Sequence, residues 1–325
     1  MLPLALDVMG GDNAPDVVIE GARRAKEELD APLILVGTEA VVAPLANEGF
    51  EIEVASEVIE MHDDPASSVR TKRDSSLVRC AELVKEGRAS SMISAGNTGA
   101  TMASALLKMG RLPKVARPAI ATVIPVPGST PTVVIDSGAN SEVQPQWLVQ
   151  FGEMGSVYSN ELFGIDSPRV GILSIGEEKG KGNSLVKEAW SLLDASPNIN
   201  FIGNVEGRDV MSANVDVVVC DGFVGNIVLK TLEGAMRTLA KSIFESLAAG
   251  ENGAEVVDLA LPKLLPLLDE LNPDTYGGAM LLGVNGICVI SHGSSSSTAI
   301  YNAIAMSMKL AKDGLADKIA ATVTK

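Results

Sequence analysis

The sequence predicts an α/β protein built on a mostly parallel sheet with helices on both faces. Three observations carry that reading. Short apolar runs recur along the chain, several of them rich in Val and Ile, the habit of strands buried on both faces. Each run ends in a turn of Gly, Ser, Asn or Asp, and helical spacing resumes beyond it. Length and composition agree: 325 residues, 46% hydrophobic, with 31 glycines and only 3% aromatics, suit a large core of Val, Ile, Leu, Ala and Met crossed by many tight turns.

Taken in order, Leu4-Ala5-Leu6-Asp7 is the first strand, followed by Met9-Gly10-Gly11-Asp12-Asn13 and a helix opening at Ala14-Pro15-Asp16. Residues 32–36 and 51–54 read as the next two strands, with a short helix after Thr38 between them. Residues 62–76 are polar, of mixed charge and too long for a simple connector, so they read as an irregular functional loop or lid. A helix over 77–86 leads to Met92-Ile93, the turn Ser94-Ala95-Gly96-Asn97-Thr98-Gly99, and a helix to about Met109. Residues 119–126 and 132–135, separated by Pro127-Gly128, are a hairpin or adjacent strands. Residues 144–159 are helical, and strands at 169–174 and 200–203 flank a helix beginning near Asn183. The run Val217-Val218-Val219-Cys220 meets Asp221-Gly222 and then a long helix to about Ala249.

In residues 255–271 Pro262 and Pro266 interrupt an apolar stretch, which predicts a broken helix rather than a continuous one. Residues 250–272 read as a projecting helical tip. Two roles are open for it, a packed helical pair or subunit contact and a patch touching membrane or a lipid-bearing partner. Tyr276-Gly277-Gly278 introduces a short apolar turn, followed by the strand Cys288-Val289-Ile290, the turn Ser291-His292-Gly293-Ser294-Ser295-Ser296 and a last helix from about Thr298. The chain reads as a single domain over 1–325, in one lobe or two.

A net charge of −15 argues against nucleic acid, which demands a basic face. Positive charge gathers locally at Arg70, Lys72, Arg73 and Arg79, and at Lys108, Arg111, Lys114 and Arg117. No run reaches the roughly 20 apolar residues of a membrane span. Three isolated cysteines fit buried thiols in a reducing compartment, so a cytoplasmic location is expected. No G-x-G-x-x-G follows a strand, no G-x-S-x-G elbow occurs, and no His/Cys cluster has zinc spacing; neither a cofactor nor a metal is expected.

What the strand-end turns do offer is an anion site, with free backbone amides at helix starts and small residues that allow close approach. Candidate substrate ligands are Gly10, Asp12, Ser94, Gly96, Asn97, Thr98, Asp136, Asn140, Asp221, Gly222, Asn226, Ser294 and Ser295. Carboxyl ends of parallel strands share one edge, so these turns are expected to line a single site. His292, with hydroxyls and a helix start behind it, could bind phosphate and polarise a carbonyl. Lys181, in Gly180-Lys181-Gly182 ahead of a helix, is a second catalytic candidate, able to bring a cation to phosphate.

Several segments together resemble the phosphate acyltransferases, the acyl-acyl carrier protein:phosphate transacylases of bacterial phospholipid synthesis. They are Ala5-Leu6-Asp7-Val8-Met9-Gly10-Gly11-Asp12, Ser94–Ala100, Gln150–Tyr158, Ile175–Asn183, Phe201–Arg208, Asp221–Asn226 and Ser291–Ser295. The chain departs from that pattern at Thr298-Ala299-Ile300, where a Lys is missing. The resemblance implies an isocitrate/isopropylmalate dehydrogenase-like fold shared with phosphotransacetylase, a homodimer, and peripheral association with the cytoplasmic membrane. It implies transfer of a fatty acyl group from acyl carrier protein to inorganic phosphate. Small residues and free amides at the turns 94–99, 221–226 and 291–296 predict that these converge on phosphate. An NAD- and metal-dependent dehydrogenase of the same fold and a non-catalytic acyl-carrier-binding module are the alternatives.

Overall fold

The computed structural model describes residues 1–250 and 252–324. Its strands are β1 (Leu4–Asp7), β2 (Leu33–Gly37), β3 (Glu51–Val54), β4 (Ser91–Ser94), β5 (Ala119–Ile124), β6 (Thr132–Ile135), β7 (Arg169–Leu173), β8 (Asn200–Val205), β9 (Val217–Val219), β10 (Ala279–Leu282) and β11 (Ile287–Ile290). Its helices are α1 (Asp16–Leu29), α2 (Glu39–Val42), α3 (Pro65–Thr71), α4 (Ser76–Lys85), α5 (Thr98–Ser104), α6 (Pro145–Phe163), α7 (Ser184–Asp194), α8 (Gly222–Leu247), α9 (Gly253–Glu270), α10 (Ser297–Lys312) and α11 (Leu315–Thr322). A wider π turn, Ala105–Met109, extends α5.

The strands form one 11-stranded sheet in the order β3-β2-β1-β4-β11-β10-β5-β6-β9-β7-β8. β1, β2, β3, β4 and β11 run parallel to one another. So do β6, β9, β7 and β8. Between the two groups every step is antiparallel: β11 to β10, β10 to β5, and β5 to β6. An odd number of reversals leaves the two groups pointing opposite ways. The carboxyl ends of β1, β4 and β11 therefore lie on one edge of the sheet, here the upper, and those of β6, β7 and β9 on the lower.

That topology corrects the expectation of a single site lined by every turn. The ends of β11 and β9 are four strand spacings apart and on opposite edges, a separation of roughly 20 Å. The turns at 94–99 and 291–296 share the upper edge, and the turn at 221–226 sits on the lower one.

Side-chain alternation sends Leu4, Leu6, Ile93, Val133, Ile135, Val217, Val219 and Val289 to one face, where they merge with α1, α6 and α10 into one continuous core. The other face carries two separate clusters. Ala5, Met92, Ile120, Cys288 and Ile290 pack under α4 and α5. Ile124, Val134, Val218 and Cys220 pack with the first turns of α8. On β5, half-buried Thr122 stands between Ile120 and Ile124, its hydroxyl 2.5 Å from that of Ser137. The polar pair Thr122–Ser137 thus stands between the two clusters on this face.

Three local expectations are also corrected. Residues 62–76 are irregular only in part: the Asp64 carboxylate accepts from the Ser67 amide and Pro65 occupies the first helical position, which starts α3, while 62–64 and 72–75 remain turns. β10 is a strand the pattern hid behind Gly277 and Gly278. α9 runs unbroken through Pro262 and Pro266. Both prolines are exposed, and so is Asp258, whose carbonyl loses its amide partner to the first of them, so water can take the place of the missing bonds.

α8 has 26 residues and is about 39 Å long, far longer than the strands it covers. Only Gly222 and Gly225 are buried along it, and only Gly253 along α9. Packing is very close at the start of α8, where a Cβ on Gly225 would come within 1.9 Å of the Asp136 carbonyl oxygen. Gly225→Ala is expected to lower stability by about 1–3 kcal/mol, since the obstacle is backbone. Gly234→Ala, farther along the same helix with nothing within 4 Å of its Cβ position, should instead gain about 1 kcal/mol. Urea unfolding of both variants checks the pair, and equal midpoints would contradict the packing described.

Candidate active site at the upper edge of the sheet

Three loops meet where β1, β4 and β11 end. The Asp12 amide donates to the Gly293 carbonyl at 2.7 Å. The Ser291 amide donates to the Ser94 carbonyl at 2.9 Å, and the Ser291 hydroxyl to the Gly277 carbonyl at 2.7 Å. Gly10 lies so close to the β4 loop that a Cβ there would be 2.7 Å from the Gly96 nitrogen. Gly11 has φ +121°, a conformation that favours glycine. Gly10, Asp12, Ser94, Gly96, Asn97, Thr98, His292, Ser294 and Ser295 are thus brought together.

Their roles differ. The Ser94 hydroxyl is buried, donates to Asp7 and accepts from the Gly96 amide, so it organises the loop. Asn97 caps α5 by accepting from the Ala100 amide, and its Nδ2 donates to the carbonyls of Met61 and Asp63 at 3.0 Å each. Segment 61–63 is thereby tied down beside the site, with the Met61 Cε against Gly293. The first amides of α5, at Thr98 and Gly99, have no acceptor within the helix and sit at its positive end. α10 opens on the same edge under the Ser296 cap. Asp12 is exposed, and its carboxylate lies beside Gly293.

His292 is exposed on this edge. Its Nδ1 accepts from the Ser294 amide at 3.2 Å and lies 2.8 Å from the Ser294 hydroxyl. With Nδ1 so engaged, the neutral ring carries its hydrogen on Nε2, which is left as a donor.

The lower-edge candidates form a second group, and most of their polar atoms are already committed. Asp136 Oδ1 accepts from the amides of Ile120, Gly138 and Ala139, and Oδ2 from both nitrogens of Asn140. Asn140 Nδ2 also donates to the Pro118 carbonyl, and the Gly222 amide donates to the Asn140 carbonyl. Asp221 caps α8 by accepting from the Val224 amide. Asn226 lies about van der Waals distance from Gly138. These contacts fasten the start of α8 to the turn after β6.

Lys181 is also on this edge, in the loop after β7, across the sheet from His292. That loop is held by Asn204, whose Nδ2 donates to the carbonyls of Gly176 and Glu178. Nearby, carboxylate oxygens of Glu177, Glu206 and Asp209 lie within 4.8 Å of one another, and Arg208 pairs with Glu177 and Glu206. An anion arriving here would meet a surplus of negative charge.

One member of the upper site went unmarked in the sequence. Asp7 is buried at the end of β1, and burial raises its carboxyl above the ordinary range against the lowering effect of hydrogen bonds from Ser76, Ser94 and Met9. The signal was a charged residue closing an otherwise apolar strand. The three cysteines are buried, and burial pushes their thiols upward, Cys288 to about 12. They are unsuited to nucleophilic work.

A phosphotransacetylase from Streptococcus pyogenes superposes with a TM-score of 0.63 at 18% identity, over 96% of this chain and 94% of that one. A 4-hydroxythreonine-4-phosphate dehydrogenase from Klebsiella pneumoniae gives 0.55 at 14%, over 96% and 100%. The fold is thus one shared by phosphotransacetylases and a dehydrogenase class, a mostly parallel sheet flanked by helices. The phosphate acyltransferase of Halothermothrix orenii is 48% identical over 321 residues, 95% of this chain and 94% of that protein. The family model described as fatty acid synthesis protein matches residues 2–318. The chain belongs to that family and is an acyltransferase of the phosphate acyltransferase kind.

Because the folded Asp7 carboxyl titrates above its unfolded value, its neutral form is favoured in the folded state. The stability it contributes is complete below about pH 4, the unfolded value, and is lost as pH rises through the folded one. Asp7→Asn removes this dependence. Its destabilisation relative to the parent should therefore be larger at pH 4 than at pH 7, as read from paired denaturation curves. A difference independent of pH would show that Asp7 titrates normally.

Proposed function

We propose that the upper edge holds inorganic phosphate and that phosphate attacks the thioester carbonyl of a fatty acyl-acyl carrier protein, giving acyl phosphate for phospholipid synthesis. One observation supports this above others: the β1, β4 and β11 loops meet beside two helix starts and a histidine whose Nε2 is free to donate. A phosphate oxygen forms the new bond to the carbonyl carbon while the C–S bond breaks. The departing thiol has an ordinary pKa near ~8.5, so it leaves without strong acid assistance. No activated serine or cysteine is needed, because the substrate is itself the nucleophile. The work left to the protein is alignment and oxyanion stabilisation.

In this reading the amides of Thr98 and Gly99 and the hydroxyls of Ser294 and Ser295 hold phosphate, and Asp12 accepts from its P–OH group. His292 Nε2–H donates to the carbonyl oxygen as charge builds there, or to the sulfur as it departs. Lys181, Asp136, Asn140, Asp221, Gly222 and Asn226 act away from this centre. Among the basic clusters, Lys72, Arg79 and Lys108 are ion-paired, which leaves Arg70, Arg73, Arg111, Lys114 and Arg117 for an acidic carrier protein. We read the reversal of strand direction across the sheet as that of an isocitrate/isopropylmalate dehydrogenase-like fold. The dehydrogenase reading would need a nicotinamide and metal site at the upper edge, and a binding module would turn nothing over.

No helix among the described residues is long and apolar enough to cross a membrane. We place the enzyme in the cytoplasm as a homodimer resting on the membrane surface. Phe223 and Ile227, 62% and 50% exposed, suit a subunit contact near the base of α8. Val256, Leu259 and Leu267 fall on one side of α9 and suit lipid.

His292→Ala is expected to lower kcat by about 10²–10⁴-fold, with acyl phosphate formation from acyl carrier protein and phosphate as the assay. A folded variant of near-normal kcat would make His292 structural. Leu259→Glu with Val256→Glu should abolish binding to anionic liposomes and leave turnover in solution intact. Unchanged liposome binding, or a parent protein that never binds them, would remove the membrane role.

A further inference from the structure

Asp7 is a buried carboxyl that no step above uses. Its Oδ1 accepts from the Met9 amide at 3.1 Å and its Oδ2 from the Ser94 hydroxyl at 2.8 Å. No Lys, Arg or His forms an ion pair with it among the described residues. An unpaired carboxyl in the core is costly, and a neutral side chain could close the same turn at less expense. Such a cost calls for a reason beyond the turn.

The geometry supplies one. The Ser94 hydroxyl gives its hydrogen to Asp7 and accepts the Gly96 amide at 3.0 Å. That fixes the direction in which the β4 loop leaves the sheet, and with it the amides of Thr98 and Gly99. The same Asp7 Oδ2 lies 2.9 Å from where a Cβ of Gly10 would stand, so it also sets how closely the β1 loop can approach. The carboxyl is thus a bolt between two of the three loops, and the third is tied to it through the Ser291 amide on the Ser94 carbonyl.

We propose that Asp7 is a positioning residue for phosphate: through the Ser94 hydroxyl it holds the Gly96–Gly99 loop in register with the Gly10–Asp12 loop. The phosphate amides are then in place before phosphate arrives. This rests on the upper edge being the phosphate site.

The test is steady-state kinetics of Asp7→Asn, Ser94→Ala and the double variant, with inorganic phosphate and the acyl-carrier thioester varied separately. The phosphate KM should rise about 10-fold or more in each single variant, while the KM for the acyl donor stays within about 3-fold. The double variant should be no worse than either single one, since both break one path. A KM does not depend on how much of the protein is folded, so a merely structural role would leave it unmoved. An unchanged phosphate KM in Asp7→Asn and Ser94→Ala, or additive effects in the double variant, overturns the proposal while the activity stands. If Asp7→Asn does not fold, the phosphate KM of Ser94→Ala decides alone. A parent enzyme that forms no acyl phosphate would overturn the phosphate site itself, and this inference with it.

Discussion

Everything in this molecule hangs on the reversal of strand direction at β10 and β5. Strands pair by backbone hydrogen bonds whatever their direction, so a sheet can continue through an antiparallel step without losing a bond. Three such steps carry eleven strands into one layer and still aim the two parallel groups at opposite edges. From that follow two sets of strand-end turns, two clusters on one face and the Thr122–Ser137 pair between them. The loops of β1, β4 and β11 meet at the upper edge, and the turns of the other group of strands lie at the lower one.

The elements were legible because the apolar runs are short and sharply bounded. The Val217-Val218-Val219 strand, the helix after it and the 119–135 hairpin all lie where the pattern placed them. The direction of each strand was less legible, although the hairpin signal at Pro127-Gly128 already held the clue, since a hairpin reverses the chain. β10 escaped because its four residues follow two glycines, although it pairs antiparallel with β11, the next strand in sequence, as well as with β5. The α9 prolines misled for a physical reason: the penalty of proline in a helix is a lost bond and a crowded carbonyl, and both are mild on a face open to water.

Within the site, residue type was legible and residue role was not. Asp136 and Asp12 look alike in the sequence, each an acid in a glycine-bearing turn. In the structure one carboxylate has both oxygens saturated by neighbouring amides and the other is open to solvent. Ser94 likewise reads as a ligand and serves as a brace. Only the partner of each polar atom separates these cases, and partners come from distant parts of the chain.

The burial of Cys80, Cys220 and Cys288 has a chemical consequence of its own. Thioesters exchange readily with thiolates, so any accessible, ionised cysteine near the bound donor would compete for the acyl group. The chain would then acylate itself and stall. With every described thiol enclosed and its thiolate disfavoured by burial, the proposed acyl donor would find no sulfur on the protein to move to. For the proposed thioester donor, selectivity for phosphate is then in part a property of the core, set by what the fold keeps away from the substrate.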